Sequence, residues 1–187
     1  LLLINATNLS DGINGLCIGI IIIWFSYIAI KFNTYLLSTP LITVMILTLY
    51  YNFKGNFFLG NSGSHFLSCF IGLLIIYNYN LSLIGNVDSK ISVEEIFILF
   101  MLPGFDMLRL FIVRIINKRN PFTSDLSHFH HYLLNYFNLR ISLIIYFLFM
   151  IIPIIIYNFY VIKAYIIIFL SLITYMVLLK IISKKNS

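Results

Sequence analysis

Long apolar stretches without a single charge recur along this chain, and that recurrence decides its fold class. Ile18–Phe25 and Ile141–Ile156 carry no charged side chain. A membrane helix needs about 20 predominantly apolar residues. Six stretches read as spans: Gly12–Ile30, Phe32–Phe53, Ser64–Tyr79, Val93–Leu108, Ile141–Tyr157 and Tyr160–Leu179. A polar turn, Asn33–Pro40, divides the first two, and a tight turn at Asn158 divides the last two. Pro103 and Pro153 fall inside two spans, where kinks are tolerated. The 187 residues are 61% apolar and 10% charged, against about 45–50% and 25% in a soluble domain. One core of this size cannot absorb that excess. Membrane barrels alternate polar and apolar residues, whereas these runs are continuous. The expectation is therefore an all-α, polytopic transmembrane helical bundle of about six spans, a single integral-membrane domain over residues 1–187. Cys17 and Cys69 both sit in apolar runs and read as small buried hydrophobes without a disulfide or metal spacing. The chain opens on Leu1 with no charged leader or cleavage site. It reads as the C-terminal part of a longer protein, with Leu1–Ile4 finishing an earlier helix.

Alternating spans sort the polar segments into two sets. Asn5–Asn14, Asn52–Ser64, Arg109–Arg140 and the tail after Leu179 hold nine of the twelve basic residues. Lys31–Pro40, Asn78–Ser92 and Asn158–Lys163 hold the other three, Lys31, Lys90 and Lys163. The positive-inside bias places the first set in the cytoplasm. The net charge of +6 is then a cytoplasmic feature, read as topology or as attraction to an anionic headgroup or substrate, with no nucleic acid implied. His128, His130 and His131 belong to the same set, and His65 lies one residue past its edge. Asp11, Asp125, Asn5, Asn8 and Asn61 are there too, with Asp106 at the membrane edge. Any chemistry belongs to that face. A transporter would instead place ionisable residues near the bilayer midplane.

Three constellations stand out. Asn5-Ala-Thr-Asn8-Leu-Ser-Asp11-Gly12-Ile-Asn14-Gly15-Leu16 packs oxygen-bearing side chains and two glycines at the end of a helix. Such oxygens suit a hard cation, and glycines admit close approach of the backbone. An interfacial helix cap reads the same residues without a ligand, and spacing alone favours it. Phe58-Leu-Gly60-Asn61-Ser62-Gly63-Ser64-His65 opens a helix with several N–H donors that suit an anion. A plain reverse turn fits it equally. A hydrolase elbow at Ser62 needs strand–turn–helix context, which helical membrane surroundings do not provide. In the third, Arg109 and Arg114 lie on a helix leaving the membrane that Pro121 stops, and Ser124 or Asp125 caps the next. On that next helix His128 and His131 are three apart and share a face. A basic segment followed by paired imidazoles can clamp a diphosphate. A basic juxtamembrane loop or a zinc site are the competing readings, the latter lacking cysteine and a second ligand pair.

Taken in order, the motifs resemble those of the bacterial polyprenyl-phosphate N-acetylhexosamine-1-phosphate transferases, glycosyltransferase family 4. Asn5 to Leu16 matches the family's N-x-x-N-x-x-D-G-x-D/N-G-L. Phe58 to Ser64 matches its F-x-G-D-x-G-S. Asp106 to His131 matches its D-x-x-R…S-P-F-x-x-D-x-x-H-x-H-H. The last is closer to the WecA/TagO-like branch than to the branch making the peptidoglycan lipid intermediate. The resemblance implies a multi-pass enzyme of the bacterial inner membrane, with its active site in the cytoplasm. In such an enzyme a polyprenyl (undecaprenyl) phosphate attacks the β-phosphate of a UDP-N-acetyl sugar. UMP leaves, and cell-wall or O-antigen polysaccharide synthesis begins. It implies Mg²⁺, or Mn²⁺ in its place, on the diphosphate, held by Asn8 and Asn61, with Asp11 organising the site. His128, His130 and His131 would bind the nucleotide-sugar phosphates, helped by Arg109 or Arg119, with Asn5, Ser62 and Ser64 as further substrate contacts. The implied partners are the lipid phosphate, the UDP-sugar and the membrane; a homodimer is an allowed assembly.

Three departures accompany the match. The family's paired-Asp motif is not in this chain, so the resemblance implies that it lies upstream and that the chain alone is inactive. Position 61 is Asn where the family usually has a metal-binding Asp, and losing that negative charge weakens Mg²⁺ binding. Position 14 is Asn where bacterial members often have Asp; some relatives, including eukaryotic ones, have Asn there. The departure at Asn61 motivates a second expectation: a weakened or inactive relative that binds polyprenyl phosphate or nucleotide-sugar without turnover.

Overall fold

The computed structural model describes residues 2–84, 90–120 and 127–183. Eight helices follow one another, with no strand among the described residues. They are α1 (Leu2–Leu9), α2 (Leu16–Phe32), α3 (Tyr35–Phe53), α4 (Gly60–Ile84), α5 (Val93–Ile116), α6 (Phe129–Tyr136), α7 (Leu139–Phe159) and α8 (Ala164–Ser183). Five of them, α3, α4, α5, α7 and α8, are long and apolar enough to cross a membrane. The chain is a multi-pass membrane protein. The sixth expected span, α2, is shorter, 17 residues. Gly15 and Asn33 bound it, both in the left-handed region (φ 87° and 54°).

The chain divides into two compact units, Leu1–Ile96 and Phe97–Ser187. In the first, α2 is the buried element. Ile18, Ile20, Ile21, Trp24, Phe25 and Ile28 are all 0–1% exposed, as expected of a helix that is apolar all round. It packs against α3 and α4, with Phe25 and Phe70 rings 6.0 Å apart. Short α1 lies along α4 in the opposite direction. Leu3 approaches Gly72, where a Cβ would come within 3.7 Å of it, and Asn8 meets Ser64 near the other end. Small residues permit this closeness where lipid supplies no hydrophobic drive between helices. A buried carboxylate, Glu95, joins α2 to the start of α5. It pairs with Lys31 Nζ at 2.7 Å and accepts from the Tyr27 hydroxyl.

In the second unit α6 packs on α7 and α8. Its Phe129 is fully buried among Tyr146, Phe149 and Tyr175, with ring centroids 5.2–6.3 Å away. Asn138 caps α7, accepting from the Ile141 N–H at 3.0 Å.

Several boundaries differ from the sequence expectation. The turn before α3 is Asn33–Thr34, and Pro40 lies within the helix, where its lost hydrogen bond is borne. Helix α4 runs on past Tyr79 to Ile84, with Asn78 and Ser82 bonding back to carbonyls at Leu74 and Tyr79. Helix α5 ends at Ile116 before reaching Pro121. Lys118 (φ 53°) donates to the Ile115 carbonyl and Arg119 to the Arg114 carbonyl, a Schellman closure. Pro121, Ser124 and Asp125 lie outside the described residues, and His128 occupies the N-cap position of α6 without a side-chain cap bond. Cys17 is buried as expected, but Cys69 is exposed on α4, because that helix turns this face away from its neighbours.

Candidate functional site

The expected site residues fall into two clusters, one in each unit. The first forms where the loop after α1 meets the start of α4. Asn8 Oδ1 accepts from Ser64 Oγ at 2.9 Å, and the same hydroxyl lies 3.1 Å from the Asn61 carbonyl. Ser64 is fully buried, so it acts as a post beneath Asn8 and Asn61 rather than as an open contact. Asp11 is half-buried and accepts from the Gly60 N–H. Burial raises its carboxyl above the usual range, opposed by that N–H. Its Oδ2 is buried without a hydrogen-bond partner. Asn5 is exposed one turn before Asn8, and Asn61 and Ser62 are exposed in the first turn of α4.

Two glycines and one asparagine make this local geometry. Gly15 (φ 87°) and Gly60 (φ 68°) take the left-handed backbone that side chains rarely adopt. Gly15 turns the loop into α2, and Gly60 aims its N–H at Asp11. Asn52, only 3% exposed at the end of α3, ties the parts together. Its Oδ1 accepts from the Gly15 N–H at 2.6 Å, and its Nδ2 donates to the Phe57 carbonyl at 2.8 Å. The sequence marks Asn52 only as the start of a polar segment.

The donor set of this cluster fits Mg²⁺: hard oxygens only, and a buried carboxylate oxygen left for a cation. No group of three or more His, Cys, Asp or Glu that could hold a metal occurs among the described residues. A cation here would depend on amide oxygens and the one carboxylate of Asp11.

The second cluster centres on Asp106, 5% exposed on α5. Its Oδ1 accepts from Arg109 Nη2 (2.9 Å), the Tyr175 hydroxyl (2.8 Å) and the Phe129 N–H (3.0 Å). Its Oδ2 faces His128 Nδ1 at 2.8 Å. A carboxylate surrounded by donors can only accept, so Nδ1 carries the proton. Arg109 Nη2 also reaches the Ser127 carbonyl. The three histidines lie together, but His128 precedes α6 rather than sharing a helical face with His131. His128 sits at the cap in extended backbone, its ring stacked on His130 (5.3 Å, 9°) and 6.2 Å from His131. His130 is buried, with Nε2 unpartnered. Burial, then the neighbouring His131, lowers its pKa to about 3, so it stays neutral. His131 is the half-exposed member, while Arg119 is exposed beyond the end of α5. Asp106 had a sequence signal, a carboxylate at the membrane edge beside Arg109. Tyr175 had none.

The sequence pattern of glycosyl transferase family 4 matches residues 1–79, which contain the whole first cluster. The chain belongs to this family. One curated relative is named probable undecaprenyl-phosphate N-acetylglucosaminyl 1-phosphate transferase, from Bacillus subtilis (strain 168). It is 34% identical over 154 residues, 77% of this chain and 41% of the relative. Another is a phospho-N-acetylmuramoyl-pentapeptide-transferase from Petrotoga mobilis, 31% identical over 144 residues, 76% of this chain and 43% of the relative. The chain thus spans about two fifths of the length of these family 4 relatives. No solved structure matches it.

Proposed function

We propose that the protein transfers a sugar-1-phosphate, N-acetylhexosamine-1-phosphate, from a UDP-sugar to undecaprenyl phosphate at the cytoplasmic face of a bacterial inner membrane. An oxygen of the lipid phosphate bonds to the β-phosphorus of the donor. The bond from that phosphorus to the bridging oxygen breaks, and UMP leaves. The observation that carries this reading is the first cluster, an all-oxygen set with an orphaned buried carboxylate oxygen inside the region matched by family 4. Asn8, Asp11 and Asn61 would hold Mg²⁺, which would supply charge neutralisation at the diphosphate. Phosphoryl transfer needs little else beyond positioning. Half-exposed His131 suits phosphate oxygens, as does the largely buried guanidinium of Arg109, while buried His130 supports the neighbouring rings. The basic bias of the cytoplasmic segments supports the orientation.

The test is Mg²⁺-dependent UMP release by the protein expressed from its whole reading frame, in membranes containing polyprenyl phosphate, across the common UDP-N-acetylhexosamines. Release with one donor is expected; none with any donor, in folded protein, rejects the reading. Asn61, uncharged where the family usually has a metal-binding Asp, favours a second reading, a relative that binds without turnover. Asn61→Asp separates them. Under the enzyme reading wild type already turns over, and the substitution tightens Mg²⁺ severalfold. Under the binder reading turnover appears only with Asp.

A further inference from the structure

Tyr175 on α8 stands between the two charged groups of the second cluster. Arg109 Nε donates to its hydroxyl at 2.8 Å, and that hydroxyl donates to Asp106 Oδ1 at 2.8 Å. The ring is itself immobilised. It is 1% exposed, with Phe129 and Phe105 centroids at 5.2 and 6.2 Å. A guanidinium held through one nitrogen can still swing about its stem, and a second fixed bond sets its plane. With the plane set by Tyr175, Arg109 Nη2 reaches both Asp106 and the Ser127 carbonyl. Asp106 in turn holds His128 Nδ1 and the Phe129 N–H. Ser127, His128 and Phe129 are the residues that lead the chain into α6. Their orientation therefore depends on two groups that Tyr175 joins.

We infer that Tyr175 is a positioning residue: through Arg109 and Asp106 it fixes the His128–His131 turn and keeps the His128 proton on Nδ1. Only the consequence for turnover rests on the proposed function. A tyrosine present for ring packing alone would lose nothing in Tyr175→Phe, which keeps the ring and removes both hydrogen bonds.

The experiment is solvent exchange of the His128 Nδ1 proton, followed by NMR on the whole protein in nanodiscs with labelled histidine. In Tyr175→Phe the exchange accelerates at least about tenfold, and Arg109→Lys, which lacks the Nε donor, does the same. The double variant exchanges no faster than Arg109→Lys alone, because the lysine already lacks the donors that Tyr175 orients. Arg109→Lys keeps the charge and the ring packing, so the test does not hang on the folding of a single variant. Unchanged exchange in either variant overturns the inference. In an active protein, assayed with UDP-N-acetylglucosamine, Tyr175→Phe lowers kcat about tenfold or more while KM moves less than about threefold. Altered exchange with unaltered kcat overturns the positioning role. Wild type without UMP release rejects the proposed function instead, and the exchange rates still decide the network.

Discussion

Asn52→Ala should damage both the stability of the first unit and its proposed cation site. The side chain is 3% exposed and makes two hydrogen bonds, to the Gly15 N–H at 2.6 Å and the Phe57 carbonyl at 2.8 Å. Truncation orphans the Gly15 N–H, which lies in a buried bond; an unsatisfied buried donor costs about 1–3 kcal/mol. Phe57 is exposed, so its carbonyl regains water and the second loss is about 0.5–1 kcal/mol. The sum is about 1.5–4 kcal/mol. At about 2–4 °C per kcal/mol for chains of this size, the apparent Tm falls by at least about 3 °C. The loop holding Asp11 also loses its tether, so Mg²⁺ affinity falls about tenfold or more. Asn52→Asp separates the two bonds, since it keeps an acceptor for Gly15 and loses the donor to Phe57. It should lower Tm while leaving Mg²⁺ affinity within about threefold. Thermal unfolding by intrinsic fluorescence and calorimetric Mg²⁺ titration read both. An alanine variant with wild-type Tm and wild-type affinity refutes the tether.

Two further outcomes follow from the buried ionisable groups. His130 has a folded pKa of about 3, below its unfolded value of about 6.5. The unfolded chain therefore binds a proton that the folded chain refuses, and stability falls as pH drops from about 6.5 towards 3. His130→Gln should remove up to about 1.4 kcal/mol per pH unit from that slope; parallel Tm–pH curves for the two proteins would contradict it. Asp11 carries a carboxyl that burial raises, with an unpartnered oxygen. Asp11→Asn should leave Tm in EDTA equal or higher while weakening Mg²⁺ at least about tenfold. A lower Tm with intact Mg²⁺ binding would show the carboxylate to be structural.

The fold was legible wherever apolar runs meet chemistry at their ends. The α7 and α8 spans follow directly from the charge-free runs Ile141–Phe159 and Ala164–Leu179. The end of α5 was not, because Lys118 accepts a left-handed backbone that sequence reasoning assigns to glycine, and so the helix closes before Pro121. Exposure of Cys69 was equally hidden, since an apolar run in a membrane helix does not say which face meets a neighbour. The first cluster was readable because Asn8, Asp11, Asn61 and Ser64 lie in two short segments with glycines between them. Asn52 was visible only as a loop polar residue; its role depends on a bond to Gly15, 37 residues away. Tyr175 is 69 residues from Asp106 and sits among isoleucines and leucines. No local pattern marks such a residue, because its partner is set by packing.

The most direct test of the account is the fate of a label at the β-phosphorus of UDP-N-acetylglucosamine, or of whichever N-acetylhexosamine donor turns over. The whole protein is incubated in membranes with Mg²⁺ and undecaprenyl phosphate, and lipid and water phases are separated. Sugar-1-phosphate transfer predicts the label in the lipid phase and unlabelled UMP in the water. Label left in UDP while sugar enters the lipid would mean transfer of the sugar without its phosphate, and would contradict the assignment.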